Sequence, residues 1–184
     1  MTPTTIETER LTMRPWRDAD LEPFAALNAD DEVMEHFPAP MTREESDALA
    51  DRVRTHISEN GWGLWAVEVK DTGEFIGFTG LSRPSFEAHF TPAVEVGWRL
   101  ARNAWGHGYA TEAARAALRY GFTVAKLDEI VSFTAATNTR SQAVMQRIGM
   151  VRNETEDFDH PRLEPGHRLS QHMLYRLTRE RWFA

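Results

Sequence analysis

Gly106 and Gly108 lie in a short loop directly before a helix that the sequence predicts to begin near Ala110. The first N–H groups of a helix have no partner inside the helix, and the helix dipole makes this end positive. Glycines that let a ligand approach the backbone closely turn such an end into a site for phosphate or diphosphate. A strand-to-helix turn also uses glycines, because positive φ costs them little. The loop alone leaves both interpretations open.

A predicted strand and a predicted helix hold this loop in place. The residues from Ala93 to Leu100 alternate between two faces of a strand. One face carries four apolar side chains and the other carries a glycine between two charged residues: Val94, Val96, Trp98 and Leu100 against Glu95, Gly97 and Arg99. After the loop, small and apolar residues recur with helical period as far as Phe122.

Periodicity, caps and turn residues divide the rest of the chain into alternating elements. Before the loop they predict a strand, two helices and a hairpin: Arg10 to Trp16, Asp18 to Ala29, Thr42 to about Ser58, and Trp65 to Val69 turning into Phe75 to Leu81. After it they predict a strand, a short helix and two strand-like segments: Glu129 to Ala136, Thr139 to Ile148, Val151 to Phe158 and Leu169 to Leu177. The predicted order is β-α-α-β-β-β-α-β-α-β-β, an α/β arrangement.

The composition predicts one globular domain over residues 1–184, because 41% of the residues are apolar and no linker or repeat divides them. A formal charge of −7 argues against nucleic-acid binding, which needs clustered Lys and Arg, and slightly favours a cationic ligand. The absence of cysteine excludes disulfides, a thiolate nucleophile and cysteine-ligated zinc. With neither a signal-peptide pattern nor a membrane-spanning run, we expect a cytoplasmic protein without a membrane partner.

The nine residues from Trp105 to Ala113 read Trp-Gly-His-Gly-Tyr-Ala-Thr-Glu-Ala. This string is similar to the acyl-CoA motif of the GNAT superfamily, in the version found in the RimJ/RimL-like branch of ribosomal-protein N-acetyltransferases. The resemblance covers nearly the whole chain through further segments: Glu9 to Trp16, Glu95 to Trp98, Asn138 to Ser141, and Met145 to Met150. It implies the GNAT fold, a central mixed, largely antiparallel sheet flanked by helices, which agrees with the element order predicted above.

The resemblance also implies acetyl-CoA as the acyl donor, with no metal. Backbone N–H groups of the loop and helix start would hold the diphosphate, at Trp105, Gly106, His107, Gly108, Tyr109, Ala110 and Thr111. The pantetheine arm would bind as an extra strand along Val96, Trp98 and Leu100, and Asn138 would face it. Trp105 stands where the wider family often has Gln or Arg, so one side-chain donor to phosphate is missing.

Two residues are predicted to carry the chemistry. Glu95 is the predicted general base, because the family often places an acid on this strand; the alternatives are a solvated side chain or an ion pair with Arg99. The tyrosine that in many family members protonates the departing thiolate corresponds here to Met145, which has no proton to donate. Ser141 becomes the predicted proton donor, and capping of the helix with Asn138 is the alternative.

These inferences predict an N-acetyltransferase that moves the acetyl group of acetyl-CoA to a primary amine by direct attack. The acceptor is either a protein N-terminus or a small-molecule amine, and the state is either monomer or homodimer. The alternative is a non-catalytic acyl-CoA-binding or sensor domain, which the missing tyrosine keeps open. His160, His167 and His172 match no compact zinc spacing, and Phe158 to Arg162 is expected to border the acceptor pocket.

Overall fold

The computed structural model describes residues 4–184 and is built around one nine-stranded sheet. The strands are β1 (Ile6–Glu7), β2 (Leu11–Arg14), β3 (Leu64–Val69), β4 (Phe75–Ser82), β5 (Glu95–Leu100), β6 (Glu129–Ala135), β7 (Val151–Arg152), β8 (Phe158–Asp159) and β9 (Gln171–Thr178). They lie in the order β1-β2-β3-β4-β5-β6-β9-β7, and β8 also pairs with β9. The pair β5 and β6 is parallel, whereas the other pairs are antiparallel.

The helices are α1 (Leu21–Asn28), α2 (Arg43–Asn60), α3 (Tyr109–Thr123), α4 (Thr139–Arg147) and α5 (Arg179–Phe183), with short 3-10 turns at Asp18–Asp20, Arg102–Ala104 and Glu154–Glu156. α2 begins and ends as its sequence predicts. Thr42 and Glu45 form a reciprocal capping box, and Gly61 ends the helix with a φ of 76°. Within residues 4–184, no helix has both the length and the apolar composition needed to cross a bilayer.

Helices cover both faces of the sheet. α3 and α4 pack on one face, against a cluster that includes Val96 and Leu100 of β5. α1 and α2 pack on the other face, in a cluster that includes Phe78 of β4. Since successive side chains of a strand point to opposite faces, Glu95 and Arg99 lie on the face covered by α1 and α2.

The predicted element order is confirmed, with additions and one correction. The additions are β1 and α5, which lie at the two ends of the described chain; β1 pairs only two residues with β2, too few to produce a periodic pattern. The correction concerns the strand-like segment from Val151 to Phe158. It consists of the two-residue strands β7 and β8 separated by the 3-10 turn, where the Asn153 side chain accepts a hydrogen bond from Thr155 N at 3.2 Å.

β5 and β6 separate soon after they meet, and this opening positions the site. Their ladder contains one paired position, Glu95 opposite Val131. One residue further on, Ser132 Oγ donates a hydrogen bond to Val96 O at 2.8 Å. In a continued parallel ladder, a backbone N–H of β6 would donate to this carbonyl oxygen instead. Beyond this point, the two parallel strands leave a gap between them.

Candidate active site

A cavity of about 1940 Å³ opens at the gap between β5 and β6. One part, here called the α3 half, is lined by the start of α3 and by α4. The other, here called the α2 half, is lined by Glu32, Val33, His36, Phe37, Pro38, Leu49, Glu95 and Arg99. A pocket for one drug-sized ligand measures roughly 300–1,000 Å³. The cavity is therefore large enough for two ligands, with the gap in the sheet as their meeting point.

The beginning of α3 presents a run of free backbone N–H groups. Gly106 and Gly108 both have a left-handed backbone, with φ of 80° and 81°. The N–H groups of the six residues 106–111 donate to no acceptor in residues 4–184, and the first bonded one is that of Glu112, which donates to Gly108 O at 3.1 Å. Consecutive free amides of this kind form an anion-binding concavity, and the helix dipole adds to its positive potential. The geometry favours an anion site over a simple turn.

Arg10 lies beside these amides and supplies a cation that sequence reasoning missed. Its Nη1 donates to His107 O at 2.8 Å and its Nε to Glu112 Oε2 at 2.7 Å. Its Nη2 lies 3.4 Å from the position that a Cβ atom on Gly108 would take. Arg10 is 97 residues from His107 in the sequence, so no local motif places it here. Its Nε and Nη1 are occupied, and its Nη2 donates to none of the described residues.

The α3 half is cationic although the whole chain is acidic. Arg10 and four further arginines line it: Arg115, Arg119, Arg140 and Arg147. Three glutamates line the same region. Glu7 forms an ion pair with Lys70 and Glu112 forms one with Arg10, so Glu9 is the one without an ion pair among the described residues. Arg140 lies over the ring of Trp105 at 4.6 Å, which holds one of these cations against the cavity wall.

Glu95 lies at the gap itself, on the side of the α2 half. Its Oε1 is 3.6 Å from the position of a Cβ atom on Gly97, so the carboxylate leans along β5 over a residue without a side chain. Its carboxylate has no ion-pair or hydrogen-bond partner among residues 4–184, and burial raises the pKa of Glu95 to about 8. A carboxylate whose pKa lies near neutral pH is suited to take a proton from an amine.

Arg99 does not form the ion pair with Glu95 that the sequence left open. Its Nη1 donates instead to Asn28 Oδ1 at 2.7 Å. The guanidinium lies over the rings of Phe37, at 4.3 Å, and Phe78, at 5.4 Å, and its Nε is buried without an acceptor. Burial lowers the pKa of Arg99 to about 10, which keeps the side chain cationic at neutral pH.

Ser141 and Asn138 lie at the start of α4 and both line the cavity. Asn138 Oδ1 accepts from Ser141 N at 3.1 Å, so the capping interaction is confirmed, and Asn138 Nδ2 donates to Thr134 Oγ1 at 3.0 Å. The Ser141 hydroxyl has no hydrogen-bond partner in residues 4–184. Met145 is 1% exposed and also lines the cavity. Thr139, also on α4, lines the cavity with a second hydroxyl that has no partner among the described residues.

The backbone of β5 meets the gap at alternate residues. Ala101 N donates to Ile76 O at 2.8 Å, so odd-numbered residues pair with β4 and even-numbered ones face β6 and the gap. Val96 O is already used by Ser132, and Leu100 O accepts from Trp105 Nε1 at 2.9 Å. Trp98 is left to offer both its N–H and its C=O to a ligand. Of the three residues predicted to pair with a ligand, Val96, Trp98 and Leu100, only Trp98 has both backbone groups free among the described residues.

Aromatic rings and two histidines close the α2 half. His160, Arg162 and His172 line it, so the segment from Phe158 to Arg162 does border the cavity. The rings of His160 and His172 lie 4.9 Å apart, and Phe158 lies beside both. Burial, helped by the charges of His172 and Arg162, lowers the pKa of His160 to about 4, so this ring is neutral at pH 7. In the described part of the chain, no three His, Asp or Glu side chains are grouped so as to hold a metal.

The structure brings most of the predicted site residues into this one cavity. Those that line it are Glu95, Trp98, Leu100, Trp105, Gly106, Gly108, Tyr109, Ala110, Thr111, Asn138 and Ser141. Two do not: the side chain of Val96 is fully buried in the core, and the ring of His107 stacks on that of Tyr109, with centroids 5.3 Å apart, without lining the cavity. Sequence reasoning missed the roles of Arg10 and Ser132, and it treated Arg99 only as a partner for Glu95.

Comparison with known proteins places this geometry among acetyltransferases. The family model "Acetyltransferase (GNAT) domain" matches residues 10–151. The FsC-acetyl coenzyme A-N(2)-transacetylase of Aspergillus fumigatus is 33% identical, over 97% of this chain and 77% of its own length. A GNAT-family acetyltransferase from Bacillus anthracis superposes with a TM-score of 0.79 at 26% identity, over 96% of this chain and 99% of the other.

A third likeness concerns the fold alone. The spermidine N-acetyltransferase of Vibrio cholerae, solved in complex with CoA and spermine, gives a TM-score of 0.74 at 22% identity, over 95% of this chain and 99% of the other. The α/β fold with a mixed, largely antiparallel sheet flanked by helices, which the resemblance implied, is confirmed.

Proposed function

Since this chain belongs to the GNAT acetyltransferase family and transfers an acetyl group from acetyl-CoA to an amine, we propose which residues of the cavity perform the transfer. The supporting observation is that one continuous cavity joins the six free amides of residues 106–111, in the loop and first turn of α3, to an unpaired carboxyl group with a raised pKa. The first feature suits a diphosphate, and the second suits an amine that must lose a proton.

The donor occupies the α3 half in this proposal. The amides of residues 106–111 bind the diphosphate, with Arg10 beside them. The pantetheine arm pairs with the backbone of Trp98 as an added strand, which needs no particular side chain. Asn138 faces this arm while its side chain caps α4. The acetyl group then lies at the gap, within reach of a nucleophile from the α2 half.

Glu95 acts as the general base. An alkylamine is largely protonated at neutral pH, so the carboxylate takes one proton from the ammonium, directly or through a water. The nitrogen attacks the carbonyl carbon, its bond to carbon forms, and collapse of the intermediate breaks the C–S bond. The products are the amide, free CoA and the proton carried away by Glu95. A bound ammonium favours the ionised form of Glu95, because an opposite charge nearby lowers the pKa of a carboxyl group.

Ser141 protonates the departing thiolate. Its hydroxyl is unpartnered and stands at the end of α4 that faces the gap, and the proton it gives is replaced by the second proton leaving the nitrogen. Met145 fills the position of the usual tyrosine and supplies only apolar surface. The serine therefore takes the donor role on this helix.

We place the chain in the RimJ/RimL-like branch, on the support of its nine-residue string from Trp105 to Ala113. This branch implies an acceptor amine on a protein N-terminus, and small amines remain as the alternative class. A cytoplasmic location and a monomeric or dimeric state remain predictions.

Thiol release tests the proposal. The purified protein is mixed with acetyl-CoA and a panel of peptides, amino acids, polyamines and aminoglycosides, and free CoA is measured. We expect CoA release with at least one amine, and acetyl-CoA should stabilise the fold by about 2.7 kcal/mol at one hundred times its Kd. Stabilisation without CoA release from any amine would favour the acyl-CoA sensor instead. Absence of both effects would contradict the proposed binding site.

A further inference from the structure

The α2 half contains a half-buried cation that the transfer chemistry does not use. Arg99 lines the cavity and has no carboxylate partner in residues 4–184. An isolated buried charge is expensive, and proteins bury one almost always with a partner. Acetyl transfer needs a base and a proton donor, and an arginine is neither. A half-buried guanidinium that faces a cavity and has no acid beside it favours a ligand with a negative charge.

The hydrogen bonds of Arg99 leave one edge of the guanidinium unoccupied. Nη1 is held by Asn28 Oδ1, with Met41 Sδ at 3.6 Å, and the ring of Phe37 covers the group. Nε is buried and has no acceptor, and Nη2 donates to none of the described residues. Because protein atoms enclose Nε, Nη2 is the donor that remains open to an anion, and a guanidinium N–H to a carboxylate oxygen is a charge-assisted hydrogen bond.

The acids of the same half do not suit a polycation. Of the two glutamates that line it, Glu32 forms an ion pair with Arg102, and only Glu95 is unpaired. A polyamine would bring several ammonium groups to one free carboxylate and one uncompensated guanidinium. The net charge of −7 favours a cationic ligand at the level of the sequence, but in this part of the cavity the paired Glu32 and the unpaired Arg99 leave a less negative lining than that sum suggests.

We propose, on the basis of the function proposed above, that the acceptor carries a carboxylate, which binds Arg99 while its amine lies at Glu95. The Cα atoms of these two residues are four positions apart on one strand face, about 13 Å. Glu95 leans over Gly97 toward Arg99, which shortens the distance that the acceptor spans. This span suits an amine several bonds away from its carboxylate, as in a short peptide or an ω-amino acid, better than an α-amino acid.

Matched acceptor pairs test the proposal. Each pair consists of an acid and its carboxamide: 4-aminobutyrate, 6-aminohexanoate, glycylglycine and alanylalanine, each with its amide. Thiol release should give kcat/KM values about 10- to 100-fold higher for the acids, the ratio expected for one charge-assisted hydrogen bond. Equal values within the pairs, or a preference for amides or polyamines, would overturn the proposal.

Substitution of Arg99 assigns the preference to this side chain. Arg99→Met should reduce the ratio of kcat/KM for the acid to kcat/KM for its amide to near one, because KM for the acids rises. Arg99→Lys should retain part of the preference for acids. Arg83→Met is the matched control, because Arg83 also lies over an aromatic ring, that of Trp62, but outside the cavity. A merely structural role for Arg99 would lower both members of each pair alike and leave the ratio unchanged.

The stabilisation by acetyl-CoA separates the possible failures. If acetyl-CoA still raises the melting temperature of Arg99→Met, the donor site of this variant is folded. If the variant does not fold, the acid-to-amide ratios of kcat/KM for the wild type and for Arg99→Lys test the acceptor class instead. CoA release that shows no preference for acids contradicts only the acceptor class. Absence of CoA release with every amine contradicts the proposed function itself.

Discussion

Glu95 and Arg99 project from the same face of β5, and neither neutralises the other. Each is shifted by burial alone, with the pKa of the carboxyl group raised and that of the guanidinium lowered. Two ionisable groups without a charged partner on one strand reduce the stability of the fold, Arg99 by its charge and Glu95 once it ionises, and such costs are typical of binding and catalytic sites. The sequence could predict that both residues share a face. It could not predict that they stay apart, because this depends on Asn28 and Phe37 from elements far along the chain.

Replacement of Glu95 tests the general base. Glu95→Gln keeps the size of the side chain and removes the proton acceptor, so kcat/KM should fall by about 10²-fold or more. The stabilisation by acetyl-CoA should be unchanged, because the amides that bind the diphosphate lie elsewhere. Glu32→Gln is the control, since Glu32 lines the same half but is already paired with Arg102. Normal turnover by Glu95→Gln would show that the base is a different group.

The pH dependence of turnover gives a second readout. The wild-type kcat/KM should rise with pH to an inflection near 8, because Glu95 accepts a proton only in its ionised form. Glu95→Gln should lose this inflection and keep only the one that belongs to the acceptor amine. An identical pH profile for both proteins would exclude titration of Glu95 from the reaction.

Unfolding as a function of pH tests the raised pKa independently of activity. The folded state holds the Glu95 proton up to about pH 8, whereas the unfolded chain releases it near its ordinary value of 4.5, so stability falls as pH rises through this window. Glu95→Gln should equal the wild type at pH 4 and exceed it at pH 8.5 by roughly 2–5 kcal/mol, at about 1.4 kcal/mol per pKa unit. Denaturant unfolding at both pH values measures the difference. A variant that is less stable at pH 8.5 would contradict the assignment.

At the scale of elements, the sequence predicted the parts with strong local signals and missed those set by tertiary contacts. The capping box of α2 and the glycine loop before α3 are local, and both are present. The separation of β5 from β6 has no local signal, since both strands have regular patterns, and it emerges only from the single paired position and the bond from Ser132 to Val96. That separation makes the cavity.

The loop before α3 permits a matched test of the diphosphate site. Gly106 and Gly149 both have left-handed φ, 80° and 87°, and a Cβ atom on either would meet nothing within 4 Å. Gly106→Val and Gly149→Val should therefore lose similar stability, on the order of 1–2 kcal/mol. Only Gly106→Val should lose stabilisation by acetyl-CoA, because Gly149 lies outside the cavity. Thermal unfolding of each variant with and without acetyl-CoA measures this difference. Equal stabilisation of both variants by acetyl-CoA would contradict an anion site in this loop.

At the scale of the whole molecule, the distribution of charge matters more than its sum. The chain carries −7, yet five arginines line the α3 half, and Arg99, which has no acid beside it among the described residues, lines the α2 half. Composition predicted correctly that the chain would form an extensive core, because that property depends on the total apolar content. It gave no guide to the two ligand sites, because their potential depends on which charges the fold brings together.

A crystal structure of the complex with acetyl-CoA tests the central claim most directly. The diphosphate oxygens should lie about 2.9 Å from several of the amide nitrogens of residues 106–111, with the pantetheine arm along Trp98 and the acetyl group at the gap beside Glu95. A diphosphate bound away from the start of α3, or an acetyl group that does not reach the gap, would contradict the account.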